Sequence, residues 1–132
     1  MTQKQIAAGI ISHAGKILIG QRKKGKDLEL LWELPGGKLE AGETLQECLK
    51  RELIEEMDLK VEVGSLFMQS VYDYAFGSFV INAFFAYTQS FDIPKICEHE
   101  QLLWVSPKDL FNYEFAPADI PIIEAYVKSL NA

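Results

Sequence analysis

Residues 37–59 read GKLEAGETLQECLKRELIEEMDL, and the rest of the chain is organised around them. The stretch opens on a glycine and contains Thr44-Leu45-Gln46-Glu47, a capping box in which the threonine hydroxyl and the glutamate carboxylate satisfy each other's free backbone donors. A helix is therefore expected from about Leu45. Leu45, Cys48 and Leu49 form an apolar stripe that leads, turn by turn, to Glu52 and Glu56. The expected helix thus has an apolar front half that docks and an acidic rear half that lines a site. Glu52, Glu55 and Glu56 stand at i, i+3 and i+4, so three carboxylates share one face. Like charges so placed cost a few tenths of a kcal/mol per pair (roughly 0.2–0.5) in an isolated helix, and a divalent cation is the first candidate to offset that.

Upstream, Gln5–Ile11 (QIAAGII) and Lys16–Gly20 (KILIG) are β-rich runs joined by Ser-His-Ala-Gly, which reads as a hairpin with His13 solvated in its turn. The basic segment 21–27 (QRKKGKD) reads as a loop, with Arg22 at the strand end where side chains reach into sites. Leu30–Leu34 (LLWEL) reads as a short strand stopped by Pro35. Pro35-Gly36-Gly37 reads as a tight turn whose backbone approaches a ligand and offers a carbonyl to a cation.

Downstream, Val61–Tyr74, Ser78–Thr88 and Gln101–Val105 are further β-rich runs, the first two joined around Ala75-Phe76-Gly77. Most of their aromatics belong in the core. Tyr74 and Phe76, at the hairpin tip, are placed to stack on a base. The segment 91–100 reads as a loop with an acidic end, Glu98-His99-Glu100. Ser106 caps a short helix carrying proline in its first turn. A last helix begins near Asp119 and presents Ile120, Ile123, Tyr126, Val127 and Leu130 as its packing face. The expected architecture is α/β of the α+β kind: a mixed β-sheet sandwiched between helices, in one domain spanning residues 1–132.

Composition narrows the function. With 13 basic and 19 acidic residues the net charge is −6, which argues against binding a nucleic-acid polymer or a membrane surface. An acidic protein that handles phosphates needs a metal to bridge the two. Cys48 and Cys97 have neither CxxC nor zinc spacing and read as free thiols in a reducing compartment. No signal peptide precedes the first strand and no apolar run is long enough to span a bilayer, so a cytoplasmic location is expected.

Gly37, five residues, Glu43, seven residues, then Arg51-Glu52-Leu53-Ile54-Glu55-Glu56 resembles the Nudix box of the Nudix hydrolases. A chance match has a probability on the order of 10⁻⁸ per starting position. The departure is Asp58, where the pattern has glycine; aspartate tolerates the left-handed conformation expected there. IGQR, LPGGKLE and APADIP are similar to the MutT-type branch, and the segment from Glu98 through Trp104 to Asp119 is similar to its CTP pyrophosphohydrolases.

The resemblance implies cleavage of a nucleoside diphosphate linked to another group, with Mg²⁺ or Mn²⁺ as cofactor and a small nucleotide as the only partner. It makes Glu52 and Glu56 metal ligands, joined by the Gly36 carbonyl, with Glu55 a ligand or the water-activating base and Glu98 an additional ligand or base. Arg51 enters the catalytic group by pairing with Glu43. Arg22 and Lys38 are phosphate contacts, and Leu34, Tyr74, Phe76 and Asp119 complete the substrate site. Asp119, if ionised, only accepts hydrogen bonds and suits the exocyclic amine of cytosine or adenine, whereas asparagine at this place in the oxidised-guanine enzymes both donates and accepts; with the similarity to the CTP enzymes this favours a cytosine nucleotide. The same residue also reads as the N-cap of the last helix. The leading expectation is a nucleoside triphosphate pyrophosphohydrolase. Other Nudix substrates (ADP-ribose, a dinucleoside polyphosphate) and a non-catalytic nucleotide-sensing module are the alternatives, and monomer and homodimer both stay open. ADP-ribose enzymes often carry a proline beyond the box, where this chain has Tyr74.

Overall fold

The computed structural model describes residues 3–131. Strands β1 (Lys4–His13), β2 (Lys16–Arg22), β3 (Trp32–Glu33) and β4 (Gly36–Lys38) precede helix α1 (Leu45–Met57). Then follow β5 (Glu62–Tyr74), β6 (Gly77–Tyr87), β7 (His99–Val105), a 3₁₀ helix (Pro107–Asn112) and α2 (Ile120–Leu130). The mixed sheet runs β3-β2-β1-β6-β5, with β4 paired to β1 and β7 paired to β2. β1 lies parallel to β6 from Lys4↔Phe79 to Ser12↔Tyr87, and both are flanked by antiparallel partners.

The unbroken apolar run of β1 follows from burial on both faces. Ala7 and Ile11 pack with Leu18, Leu49, Leu53, Met57 and Phe84 under α1. Ala8 and Ile10 pack with Ile17, Ile19, Trp32, Leu110, Ile122 and Tyr126 under α2. The expected helix–sheet–helix sandwich is therefore the observed one. No helix among the described residues is long and apolar enough to cross a membrane.

Several local expectations need correction. LLWEL is not a strand beyond Trp32–Glu33, because Leu28 and Leu30 are left-handed (φ 60° and 63°) and the chain loops back so that the Leu30 N–H donates to the Arg22 carbonyl. Nor is Pro35-Gly36-Gly37 a turn: Gly36 and Gly37 start β4, paired with Ala8 and Ala7. Glycine is required there by close approach, since a Cβ on Gly36 would lie 1.9 Å from the Ala7 carbonyl oxygen. His13 ends β1 partly buried, its Nδ1 2.9 Å from the Thr88 carbonyl and its ring edge-on to Phe91. The Ser106 side chain makes no capping hydrogen bond. On α2, Ile122 joins Ile123 and Tyr126 in the core, while Ile120 and Leu130 are exposed.

Candidate active site

Helix α1 starts as its capping box requires: the Thr44 hydroxyl accepts from the Glu47 N–H at 3.1 Å and Glu47 accepts from the Thr44 N–H at 2.8 Å. It ends at Asp58, which is left-handed (φ 52°), with its N–H donating back to the Ile54 carbonyl. The apolar stripe does not give way to acid halfway along. It continues through Leu53 and Met57, both fully buried, and the glutamates form an edge beside it. Glu56 is the member of that edge drawn into the interior, 8% exposed.

Arg51 organises the other carboxylates. Its Nε and one terminal nitrogen hold both oxygens of Glu43 at 3.0 and 2.8 Å, a bidentate pair. Its second terminal nitrogen reaches Glu52 at 2.9 Å and Glu55 at 3.2 Å. The guanidinium holds the Glu43 carboxyl down to about 2. The crowding of like charges on this face is thus already offset in part by an arginine within the same helix. Glu55 points outward, 58% exposed. Glu52 lies over the backbone of Gly37, where a Cβ would stand 2.2 Å from its carboxyl carbon. Gly37→Ala is therefore expected to fold, because only the far end of a flexible side chain must move, yet to displace Glu52. Thermal unfolding should shift by less than about 4 °C while turnover falls at least tenfold, on the order of 1.4 kcal/mol in the barrier.

Glu56 has no such partner. Its Oε2 is buried and accepts no hydrogen bond. Burial, followed by the charges of Glu52, Glu33 and Glu98, pushes its carboxyl up to about 9. An orphaned carboxylate oxygen among three further carboxylates is a donor set suited to a hard divalent cation. Among the described residues no three metal-ligating side chains already converge on one point. Each long glutamate instead reaches the nearest cation, Arg51 for Glu52 and Glu55, and Lys26, at 3.6 Å, for Glu98.

Glu98 reaches this corner because the segment before it is tied to the end of α1. The Lys95 and Cys97 N–H groups donate to the carbonyls of Met57 and Glu56 at 3.3 and 3.2 Å. Between the end of α1 and the β5–β6 hairpin lies a cleft of about 520 Å³. Its lining brings together Arg22, Leu34, Gly36, Lys38, Glu56, Tyr74, Phe76, Glu98 and Asp119, all singled out in the sequence. Glu52, Glu55 and Arg51 lie outside that lining, behind Gly37 and on the outer edge of the helix. At the hairpin tip Tyr74 and Phe76 stack with ring centres 4.9 Å apart, and the Tyr74 hydroxyl accepts from the Ala118 N–H at 2.8 Å.

Asp119 occupies the N-cap position of α2 but its side chain makes no capping bond. It turns instead into the cleft, buried, where Oδ1 accepts from the Leu34 N–H at 3.4 Å. Burial, then the charge of Glu33, raises its pKa well above the ordinary aspartate range. The neutral form carries an O–H donor beside a carbonyl acceptor. The sequence expectation took Asp119 as ionised, and its burial here opposes ionisation.

Sequence reading missed Glu33 and His99. Glu33 Oε1 pairs with Arg22 at 3.0 Å, and its Oε2 lies 2.9 Å from His99 Nε2. Nothing local marks either residue, since the three are brought together from β2, β3 and β7 by sheet register. Lys23 and Lys26 of the basic loop also line the cleft.

A nucleotide-sized cleft lined by five basic side chains (Lys4, Arg22, Lys23, Lys26, Lys38) and five acidic ones (Asp27, Glu33, Glu56, Glu98, Asp119), with one Glu56 oxygen buried and unpaired, has the charges to hold phosphates and a cation together. The NUDIX domain model matches residues 3–126, and the chain belongs to that family: it is a Nudix hydrolase, an enzyme acting on phosphoric anhydrides. The CTP pyrophosphohydrolase of Escherichia coli (strain K12) is 35% identical over 133 residues, covering 96% of this chain and 93% of that protein. The 8-oxo-dGTP diphosphatase of Haemophilus influenzae is 35% identical over 121 residues, covering 90% and 88%. Among solved structures the Escherichia coli ORF135 protein superposes with a TM-score of 0.83 at 34% identity, over 100% of this chain and 93% of that one. The MutT protein of Methanosarcina mazei Go1 gives 0.84 over 98% and 95%, and at 24% identity shows the likeness of fold.

Proposed function

We propose that the chain is a Mg²⁺- or Mn²⁺-dependent nucleoside triphosphate pyrophosphohydrolase that converts an NTP or dNTP and water to the monophosphate, pyrophosphate and a proton. The observation that carries this reading is the unpartnered Glu56 oxygen in a cleft that gathers further carboxylates, Glu33, Glu98 and Asp119, beside five basic side chains. Glu56 and Glu52, with the Gly36 carbonyl and Glu98, would hold the cation, which when bound neutralises phosphate charge and favours ionisation of water. Arg22 and Lys38 face the phosphates from the cleft walls. Glu98 reaches the cleft and Glu55 does not, which favours Glu98 as the carboxylate that takes the proton from water. Arg51 acts from behind, fixing Glu52 and the loop at Glu43 rather than touching the substrate.

The base would lie between the Tyr74–Phe76 stack and the Leu34–Asp119 corner. A relative named for CTP and one named for 8-oxo-dGTP are both 35% identical to this chain, the first over a longer stretch. Asp119 would serve either base: ionised, it accepts from an amino group, and protonated, it also offers its O–H to a carbonyl or ring nitrogen. The test is pyrophosphate release from CTP, dCTP, 5-methyl-dCTP and 8-oxo-dGTP with Mg²⁺ or Mn²⁺. At least one triphosphate should be hydrolysed only when metal is present. Asp119→Asn should change the ratio of 8-oxo-dGTP to dCTP turnover by about tenfold or more, the worth of one base-edge hydrogen-bond pair. No release from any nucleotide with either metal would refute the activity, and an unchanged ratio would refute the role of Asp119.

A further inference from the structure

We infer that His99 is a positioning residue for the cleft: its Nε2–H donates to Glu33 and thereby fixes, through Glu33, the guanidinium of Arg22. The ring is nearly sealed from solvent, 2% exposed, and lies 2.9 Å from Glu33 Oε2. It occupies a slot that exists because residue 20 is glycine; a Cβ there would stand 2.5 Å from the ring carbon Cδ2.

The unpaired atom fixes the tautomer. His99 Nδ1 is buried and has no hydrogen-bond partner. A proton on Nδ1 would be a buried donor with nothing to receive it, whereas a bare lone pair leaves only an acceptor unmet. The proton therefore belongs on Nε2, directed at Glu33. That leaves Glu33 Oε1 for the Arg22 Nη1, at 3.0 Å, while Arg22 Nε donates to the Asp27 carbonyl at 2.7 Å. Both ends of the guanidinium are thus held.

Sheet register makes the arrangement. β2 and β7 run in step as far as Gln21↔Gln101, and an irregularity then pairs Arg22 with His99. That one-residue shift turns His99 inward while Glu98, next to it, lines the cleft. A histidine that merely filled space would be replaceable by any apolar side chain of its size. One that holds Glu33 needs a donor at the Nε2 position.

The kinetic arm of the test rests on the pyrophosphohydrolase reading. His99→Leu, which keeps bulk and removes the donor, should raise KM for the best triphosphate about tenfold and by more than it lowers kcat. His99→Gln, which restores an N–H near the same place, should recover most of that rise. On a Glu33→Gln background, His99→Leu should add little, because both act through one contact. An unchanged KM in His99→Leu, or a glutamine variant no better than leucine, would overturn the inference. The second arm is independent of turnover and of any variant that fails to fold. Long-range ¹H–¹⁵N spectra of the wild-type protein should show a proton on His99 Nε2. A ring whose only proton is on Nδ1 overturns it even if the enzyme hydrolyses its substrate as expected.

Discussion

Glu56→Gln is expected to abolish metal-dependent turnover and, in metal-free buffer, to make the protein more resistant to heat. Both effects follow from one carboxyl group. It is buried, lacks a hydrogen-bond partner at Oε2 and sits among the charges of Glu52, Glu33 and Glu98. A glutamine of the same shape removes the charge and the repulsion, and with them the anionic oxygen that a divalent cation requires. Turnover should fall by about 10³-fold or more, the scale on which preorganised charge stabilisation is lost.

The stability effect has a definite pH signature. In the folded, metal-free protein the carboxyl is raised to about 9 from an ordinary value of 4.5. Between those values the folded state binds more protons than the unfolded state, so unfolding free energy falls as pH rises from about 4.5 towards 9. Below that window the contribution is neutral, and above it the penalty is complete, on the order of a few kcal/mol. Wild-type protein in chelator should lose thermal stability across this window more steeply than Glu56→Gln. Mg²⁺ should restore stability to the wild type and leave the variant unmoved, because only a group that binds the cation couples it to folding. Equal slopes for the two proteins, or activity retained in the variant, would show that Glu56 is an ordinary buried acid. Differential scanning calorimetry from pH 5 to 9, with and without Mg²⁺, makes the comparison.

Gly36→Ala is expected to prevent folding or destabilise it by more than about 4 kcal/mol, the range reserved for backbone and core disruption. The added methyl would meet the Ala7 carbonyl oxygen at 1.9 Å and the Ala8 Cα at 2.8 Å. These are backbone atoms of the central strand β1, itself paired along its length with β6, so nothing can give way. Neighbouring Gly37 offers the contrast, because its obstacle is the mobile end of Glu52. Alanine at 36 should therefore be lost to aggregation or proteolysis, whereas alanine at 37 should yield a folded and impaired enzyme. Circular dichroism and limited proteolysis of the two variants, side by side, distinguish them. A folded Gly36→Ala protein of near wild-type stability would refute the β4–β1 packing.

The acidic helix, its threonine cap, its left-handed end at Asp58 and the reaction class were legible in the sequence, because these depend on residues within a few turns of one another. The sandwich was legible too, since a strand apolar on every residue from Ile6 to Ile11 must be covered on both faces. How charge is shared among the carboxylates depends on the fold. Spacing alone showed three equivalent glutamates, but Arg51 claims two of them and leaves Glu56 buried and unpaired. Only the tertiary structure turned Asp119 from a helix cap into a buried acid of the cleft, because its surroundings come from Leu34 and Glu33, more than eighty residues away. The Arg22–Glu33–His99 contact is of the same kind, assembled by register across three strands. Local sequence can specify hydrogen bonds along a helix, whereas a pKa or a tautomer is set by whatever the fold places within a few ångströms.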